Sequence, residues 1–157
     1  MPGRREETVN VAELVREVVA DAAFELNDRS LGFDVRVDSL LTAKVTGNAE
    51  LLHRAVENVV RNSARYTASG GQVQIVGEYD ALLSEVRLLI VDDGPGVRAE
   101  DLALIFEPFF RGEATQRTLG HGLGLAITRR VIQSHGGRIS ASNRTSGGLA
   151  VEICLPA

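Results

Sequence analysis

Three segments with helical periodicity are separated by groups of strand-like segments, and helix and strand never alternate one for one along the chain. Asn10 opens the first helix, with Glu13 three residues on in capping-box position. Val11, Leu14, Val15, Val18, Val19, Ala22, Ala23 and Leu26 then recur at i, i+3, i+4 spacing, which gives one buried stripe. Asn27-Asp28 ends it. Phe33, Val35 and Val37 alternate with Asp34, Arg36 and Asp38, the pattern of a half-buried strand, and Ala43 to Thr46 reads as a short strand. Gly47-Asn48 turns the chain into a second helix, from about Ala49 to Tyr66, which Ser69-Gly70-Gly71 breaks. Val73 to Tyr79 and Val86 to Val91 are expected strands, Ala99 to Phe106 a short helix, and about Arg111 to His121 a loop without periodicity. Gly122 to His135 is the third helix, stopped by Gly136-Gly137. Arg138 to Ser142 and Leu149 to Leu155 close the chain as a hairpin around Ser146-Gly147-Gly148. A doubly wound parallel sheet needs strict βαβ alternation, which is missing. The expected class is α+β, a two-layer α/β sandwich with helices on one face of a mixed sheet.

At 157 residues the chain has the length of one domain. Its 44% hydrophobic and 24% charged residues exclude collagen-like, disordered and disulfide-scaffold classes. The net charge of −4 argues against nucleic acid as the main partner and leaves room for a local basic pocket. Cys154 is the only cysteine, so no internal disulfide forms, a reducing compartment is expected, and a core position is expected for the thiol. No apolar run approaches the ~20 residues of a membrane span. The arginines near the start are followed by no apolar stretch, so residues 1–7 read as a leading stub rather than a signal peptide, with the domain at 8–157.

Four short features carry chemistry. On the second helix, at about 100° per residue, Asn58, Asn62 and Arg65 stack on one side, roughly opposite the apolar stripe. A solvated polar face explains this. So does an oxygen ligand for a hard cation beside a phosphate-binding arginine, because Mg²⁺ keeps most of its waters and takes one or two protein oxygens. Asp92-Asp93-Gly94-Pro95-Gly96 is either a strand-ending turn or a purine pocket. In the second case a buried carboxylate accepts from an exocyclic amine, and the glycines admit a flat ring. Gly120-His121-Gly122-Leu123-Gly124-Leu125 leads directly into a helix, where exposed backbone N–H groups favour an anion. It fails the Rossmann pattern at Ile127 and the Walker A pattern for want of a lysine. Ile105 to Arg111 holds three of the five phenylalanines. Core packing accounts for them, as does a hinge anchoring a lid.

In that order, Asn helix, Asp-x-Gly-x-Gly, Phe-x-Pro-Phe and Gly-x-Gly-x-Gly closely resemble the ATP-binding catalytic domain of bacterial sensor histidine kinases, the Bergerat nucleotide fold. Glu57 to Tyr66 is similar to the family's N box, Asp92 to Gly96 to its G1 box, Phe106 to Phe110 to its F box and Gly120 to Gly124 to its G2 box. The wording of 55–62 and 91–97 is similar to the envelope-stress sensor kinases of the Cpx type. The resemblance implies Asn62 as the Mg²⁺ ligand and Asn58 facing the triphosphate and its metal. Arg65 and Tyr66 would contact phosphate or ribose. Asp92 would receive the adenine amine, with Gly94 and Gly96 lining the ring. Gly120, Gly122, Leu123 and Gly124 would shape the phosphate-facing end of the lid, and Arg111 and Arg117 are lid candidates for phosphate.

The implied activity is donation of the γ-phosphate of Mg-ATP to a histidine on a separate dimerisation domain, and through it to a response regulator. No His-Glu-Leu-Arg-Thr-Pro-like run is present, and His53, His121 and His135 do not read as acceptors. Little autophosphorylation by this chain alone is expected, with a monomer and no membrane contact. A cytoplasmic location follows from the resemblance, as the inner part of a membrane sensor. No general base is assigned; Glu57 is one candidate. The alternatives are an anti-sigma-type serine kinase, an ATPase of the gyrase and heat-shock-chaperone class, or a nucleotide-binding module without catalysis. The ATPases place a glutamate where this chain has Asn58.

Overall fold

The computed structural model describes residues 6–27, 30–108 and 124–157. Strand β1 (Glu7–Asn10) leads into helix α1 (Val11–Glu25), followed by β2 (Gly32–Arg36), a 3-10 turn over Asp38–Leu40 and β3 (Lys44–Gly47). Helix α2 (Ala49–Tyr66) precedes β4 (Gln72–Asp80) and β5 (Glu85–Val91). A second 3-10 turn spans Ala99–Asp101, and α3 (Gly124–Ser134), β6 (Arg138–Asn143) and β7 (Leu149–Pro156) complete the order.

Five strands form one sheet in the order β2-β4-β5-β7-β6. Only β2 and β4 run parallel; the other neighbours are antiparallel. The sheet is therefore mixed, as expected. β1 and β3 form a separate antiparallel pair, in which Glu7 of the expected stub lies opposite Gly47.

Alternation along the strands decides which face is dry. Val73 and Ile75 of β4, Val86, Leu88 and Ile90 of β5, and Val151, Ile153 and Leu155 of β7 join the apolar stripes of the three helices in one core. The opposite face carries Arg87 and Leu89 of β5 across from Cys154 and Glu152 of β7. Cys154 is buried, as its expected core position requires, but it lies on this outer face of the sheet. It is 1% exposed because the sheet's charged side chains cover it, and burial pushes its thiol pKa up.

The helix ends are set by local chemistry. Asn10 Oδ1 accepts the Glu13 N–H at 3.1 Å, and Asn48 Oδ1 accepts the Leu51 N–H at 3.0 Å. α2 ends before the expected glycines, at Thr67, whose N–H and hydroxyl both donate to the Ser63 carbonyl. After α3, Gly136 takes φ +77°, its N–H donates to Gln133 O, and the Gly137 N–H donates to Ile132 O. These are the paired bonds of a Schellman end.

The expected short helix at Ala99 to Phe106 is instead the 3-10 turn and further tight turns. Its bonds run Asp101 to Arg98, Leu104 to Asp101 and Glu107 to Leu104, all of i to i−3 type. The three-residue repeat carries Leu102 and Ile105 onto the core, and Phe106 is buried. Pro108 then disfavours helical geometry at Glu107.

Candidate functional site

α2 supplies one wall. Its apolar stripe (Leu52, Ala55, Val56, Val59, Val60) is fully buried, which fixes the helix rotation. Asn58 and Asn62 come out half-buried beside that stripe rather than opposite it, while Arg65 is exposed. The reason is α3: Asn58 Nδ2–H donates to the Gly124 carbonyl at 3.3 Å, and the Thr128 hydroxyl donates to Ala55 O at 3.2 Å. The asparagine face therefore abuts the first turn of α3. Glu57 turns the other way, toward α1. Its carboxylate lies 3.7 Å from Arg61 and 3.9 Å from His53, and Arg61 is doubly bonded to Glu25 of α1 at 2.5 and 2.9 Å. Glu57 is thus not placed as a general base for groups gathered at Asn58 and Asn62.

β5 supplies the second part. Its hydrogen-bonded ladder delivers Asp92 just past Val91, 1% exposed. Asp92 Oδ1 accepts the N–H groups of Gly94 at 2.9 Å and Leu149 at 3.1 Å. Among the described residues no hydrogen bond reaches Oδ2. Burial raises the pKa of this carboxyl. The two backbone N–H groups pull it back in part, Asp93 pushes it further up and Arg144 draws it down.

The turn after Asp92 lies against the end of α2. A Cβ at Gly94 would sit 2.7 Å from the Tyr66 carbonyl and 3.0 Å from Asp92 Oδ1. Gly96 has φ +75° and comes equally close to the Asn143 side chain. Both glycines are thus required by the protein's own packing. Asn58, Asn62 and Tyr66 consequently line one helix between the Asp92 turn at one end and the start of α3 at the other. Gly124 opens α3 within 4 Å of Asn58. Arg111, Arg117, Gly120, His121, Gly122 and Leu123 lie outside the described residues, with Phe109 and Phe110. Phe106 is buried, and Glu107 sits 3.7 Å from Arg129 of α3.

A helix wall with two amide side chains thus has a buried carboxylate turn at one end and the glycine-opened start of α3 at the other. Residues 47–157 match the model of the histidine kinase-, DNA gyrase B- and HSP90-like ATPase family. The chain belongs to that family. Among relatives of this ATPase family, the sensor histidine kinase CpxA of Escherichia coli is 38% identical over 152 residues, 96% of this chain and 32% of CpxA. The signal transduction histidine-protein kinase/phosphatase MprB of Mycolicibacterium vanbaalenii is 36% identical over 155 residues, 96% of this chain and 31% of MprB. The chain thus spans about a third of the length of these relatives. A solved mycobacterial sensor histidine kinase MprB superposes with TM-score 0.85 at 31% identity, covering 96% of this chain and 97% of that one. These likenesses bear out the expected fold class and the resemblance to the catalytic domains of sensor histidine kinases.

Sequence reading missed four residues that support the site or its helices. Asn143 and Arg144, in the β6–β7 hairpin, bond to Val97 and to the Asp92 carbonyl. Gly148, at φ +92°, would place a Cβ 1.9 Å from the Asp92 carbonyl oxygen. The Ser146-Gly147-Gly148 turn was legible, but nothing local ties it to Asp92. His135, expected to need no role beyond its helix end, accepts the Asn48 N–H on Nε2 at 3.1 Å. Its Nδ1 lies 2.7 Å from the Val131 carbonyl, so the ring is the Nδ1–H tautomer.

Proposed function

We propose that this chain binds Mg-ATP and donates the γ-phosphate to a histidine on a separate dimerisation domain of a two-component sensor kinase, which in turn serves a response regulator. The observation that carries the reading is Asp92: a buried carboxylate with one oxygen committed to backbone donors and the other without a hydrogen bond among the described residues. A carboxylate oxygen of a nearly buried side chain that no described residue bonds is open to a donor, and an exocyclic adenine amine is one. The amide oxygens of Asn58 and Asn62 suit a hard cation bound chiefly through phosphate oxygens and water. This fit is the reason for naming Mg²⁺ as well as the nucleotide.

In this reading Asn62 holds the metal, Asn58 orients the phosphate end from its anchored position on Gly124, and Arg65 and Tyr66 face phosphate or ribose. Gly94 and Gly96 shape the base end. Arg111, Arg117, Gly120, Gly122, Leu123 and Gly124 are proposed for the phosphate-facing lid. Mg-ATP, when bound, supplies the phosphoryl group and the charge neutralisation that phosphoryl transfer needs. The protein's task is placement, and the accepting imidazole comes from the other domain, so no resident nucleophile is required. Hydrolysis is disfavoured because Asn58 is an amide bonded to Gly124 and Glu57 faces α1. The domain at 8–157 is proposed to act as a monomer in the cytoplasmic part of a membrane sensor.

Calorimetric titration with ATP, with and without Mg²⁺, tests the assignments. Asp92→Ala is expected to remove binding in both conditions, and Asn62→Ala to remove only the gain from Mg²⁺. A chain that binds ATP equally well with Asp92→Ala refutes the purine site. Labelled phosphate appearing on a histidine of an added dimerisation domain supports the transfer reading; sustained phosphate release without it favours the ATPase class.

A further inference from the structure

The segment Asp92–Val97 is fastened at both ends to one cross-strand pair. At its start the Asp92 N–H donates to Leu149 O at 3.1 Å, and the Leu149 N–H donates to Asp92 Oδ1 at 3.1 Å. At its end the Val97 N–H donates to Asn143 Oδ1 at 2.8 Å, and Asn143 Nδ2–H donates to the Val97 carbonyl. Asn143 and Leu149 face each other across β6 and β7. One residue of the pair thus holds the carboxylate and the other holds the far side of the glycine turn.

We propose that Asn143 is a positioning residue of the purine pocket, its carboxamide pairing with both backbone groups of Val97 as a neighbouring strand would. The inference rests on the nucleotide reading given above and deepens it. Among the described residues, Asn143 makes every hydrogen bond of residues 95–97. The grip is close: a Cβ on Gly96 would lie 2.7 Å from Asn143 Oδ1, so a side chain there would push the amide off the turn. The chemistry is specific to an amide, which sets an acceptor oxygen beside a donor NH2 group. An aspartate at 143 keeps the acceptor for the Val97 N–H and sets its second oxygen against the Val97 carbonyl. An alanine offers neither.

Two measurements on the full 157-residue chain test this. In ligand-free hydrogen exchange, the Val97 amide is expected to be protected in the wild type and to exchange roughly tenfold faster or more in Asn143→Ala. The core amides of Val59 and Ile90 should stay unchanged. In calorimetry, Asn143→Ala should weaken ATP and AMP by the same factor, about tenfold, because the loss sits at the base end. Asn143→Asp, which retains the side-chain shape, should weaken both in the same direction. Unchanged Val97 exchange in Asn143→Ala overturns the clamp. Nucleotide affinities equal to wild type in both variants, with Asp92→Ala weakened, overturn this inference alone. A wild type that binds neither nucleotide overturns the site reading and the inference together. A loss seen with ATP but not with AMP moves the effect to the phosphate end and also overturns it.

Discussion

Asp92 is pulled two ways. Burial raises its pKa, so the ionised form costs the folded state stability at neutral pH, yet the ionised form is the better acceptor for an amine. Replacing it with asparagine keeps an oxygen for the Gly94 and Leu149 N–H groups and removes the buried charge. Asp92→Asn is therefore expected to melt above the wild type by scanning calorimetry at pH 7. It should bind ATP roughly 10–100-fold more weakly, the worth of a hydrogen bond to a charged partner. The direction of the shift also fixes a pH dependence. The native pKa lies above the unfolded one, so protonation on acidification relieves the burial cost while removing the acceptor. ATP affinity measured from pH 7 downward should begin to fall above the usual aspartate range, and Asp92→Asn should flatten that fall. A wild-type affinity that stays level until below the usual aspartate range would contradict the assignment.

Among the elements, α3 is tied to α2 at both of its own ends: Asn58 holds the Gly124 carbonyl at its start, and His135 just past its finish receives the Asn48 N–H. The ring also fills the space against Gly47, where a Cβ would lie 2.3 Å from it. His135→Ala leaves a backbone donor without its partner and opens a void. The expected cost is about 1–3 kcal/mol, or a Tm lowered by roughly 2–10 °C for a domain of this size, read by thermal unfolding. Such ties show where sequence reading reaches its limit. The helices α1, α2 and α3 were legible because their apolar stripes are local signals, as are the asparagine caps of α1 and α2 and the glycine pair after α3. β1 was not, because four residues show no period and its partner β3 arrives more than thirty positions later. The turns at 99–107 imitate a helix, since a three-residue apolar repeat is shared by 3-10 and α geometry until hydrogen bonds choose. In the site, Asp92, Gly94 and Gly96 announced themselves as a motif. Asn143, Arg144 and His135 act only through contacts made across the fold, and no neighbour in sequence marks them.

For the molecule as a whole, the outer face of the sheet is an ionic layer over one apolar core. Arg138 of β6 reaches across β7 to Glu85 of β5, bonding both carboxylate oxygens at 2.7 and 2.9 Å. This hydrogen-bonded pairing holds the Glu85 pKa below its ordinary value. A depressed carboxylate stabilises the fold above its unfolded pKa and loses that contribution as pH falls through the folded one. Urea unfolding of wild type and Glu85→Gln, followed from pH 7 to pH 3, should therefore differ most at pH 7 and converge in acid. Curves that stay parallel would show that the pair is stability-neutral. The same layer shelters the chain's one sulfhydryl, Cys154, between Arg87 and Arg138. Thiol reagents meet almost no surface there, so the natural chain offers a silent background for site-directed labelling. A single cysteine introduced at exposed Ala68, just beyond the end of α2 that is proposed to face the nucleotide, would carry a fluorophore alone and report occupancy without any native residue being removed first.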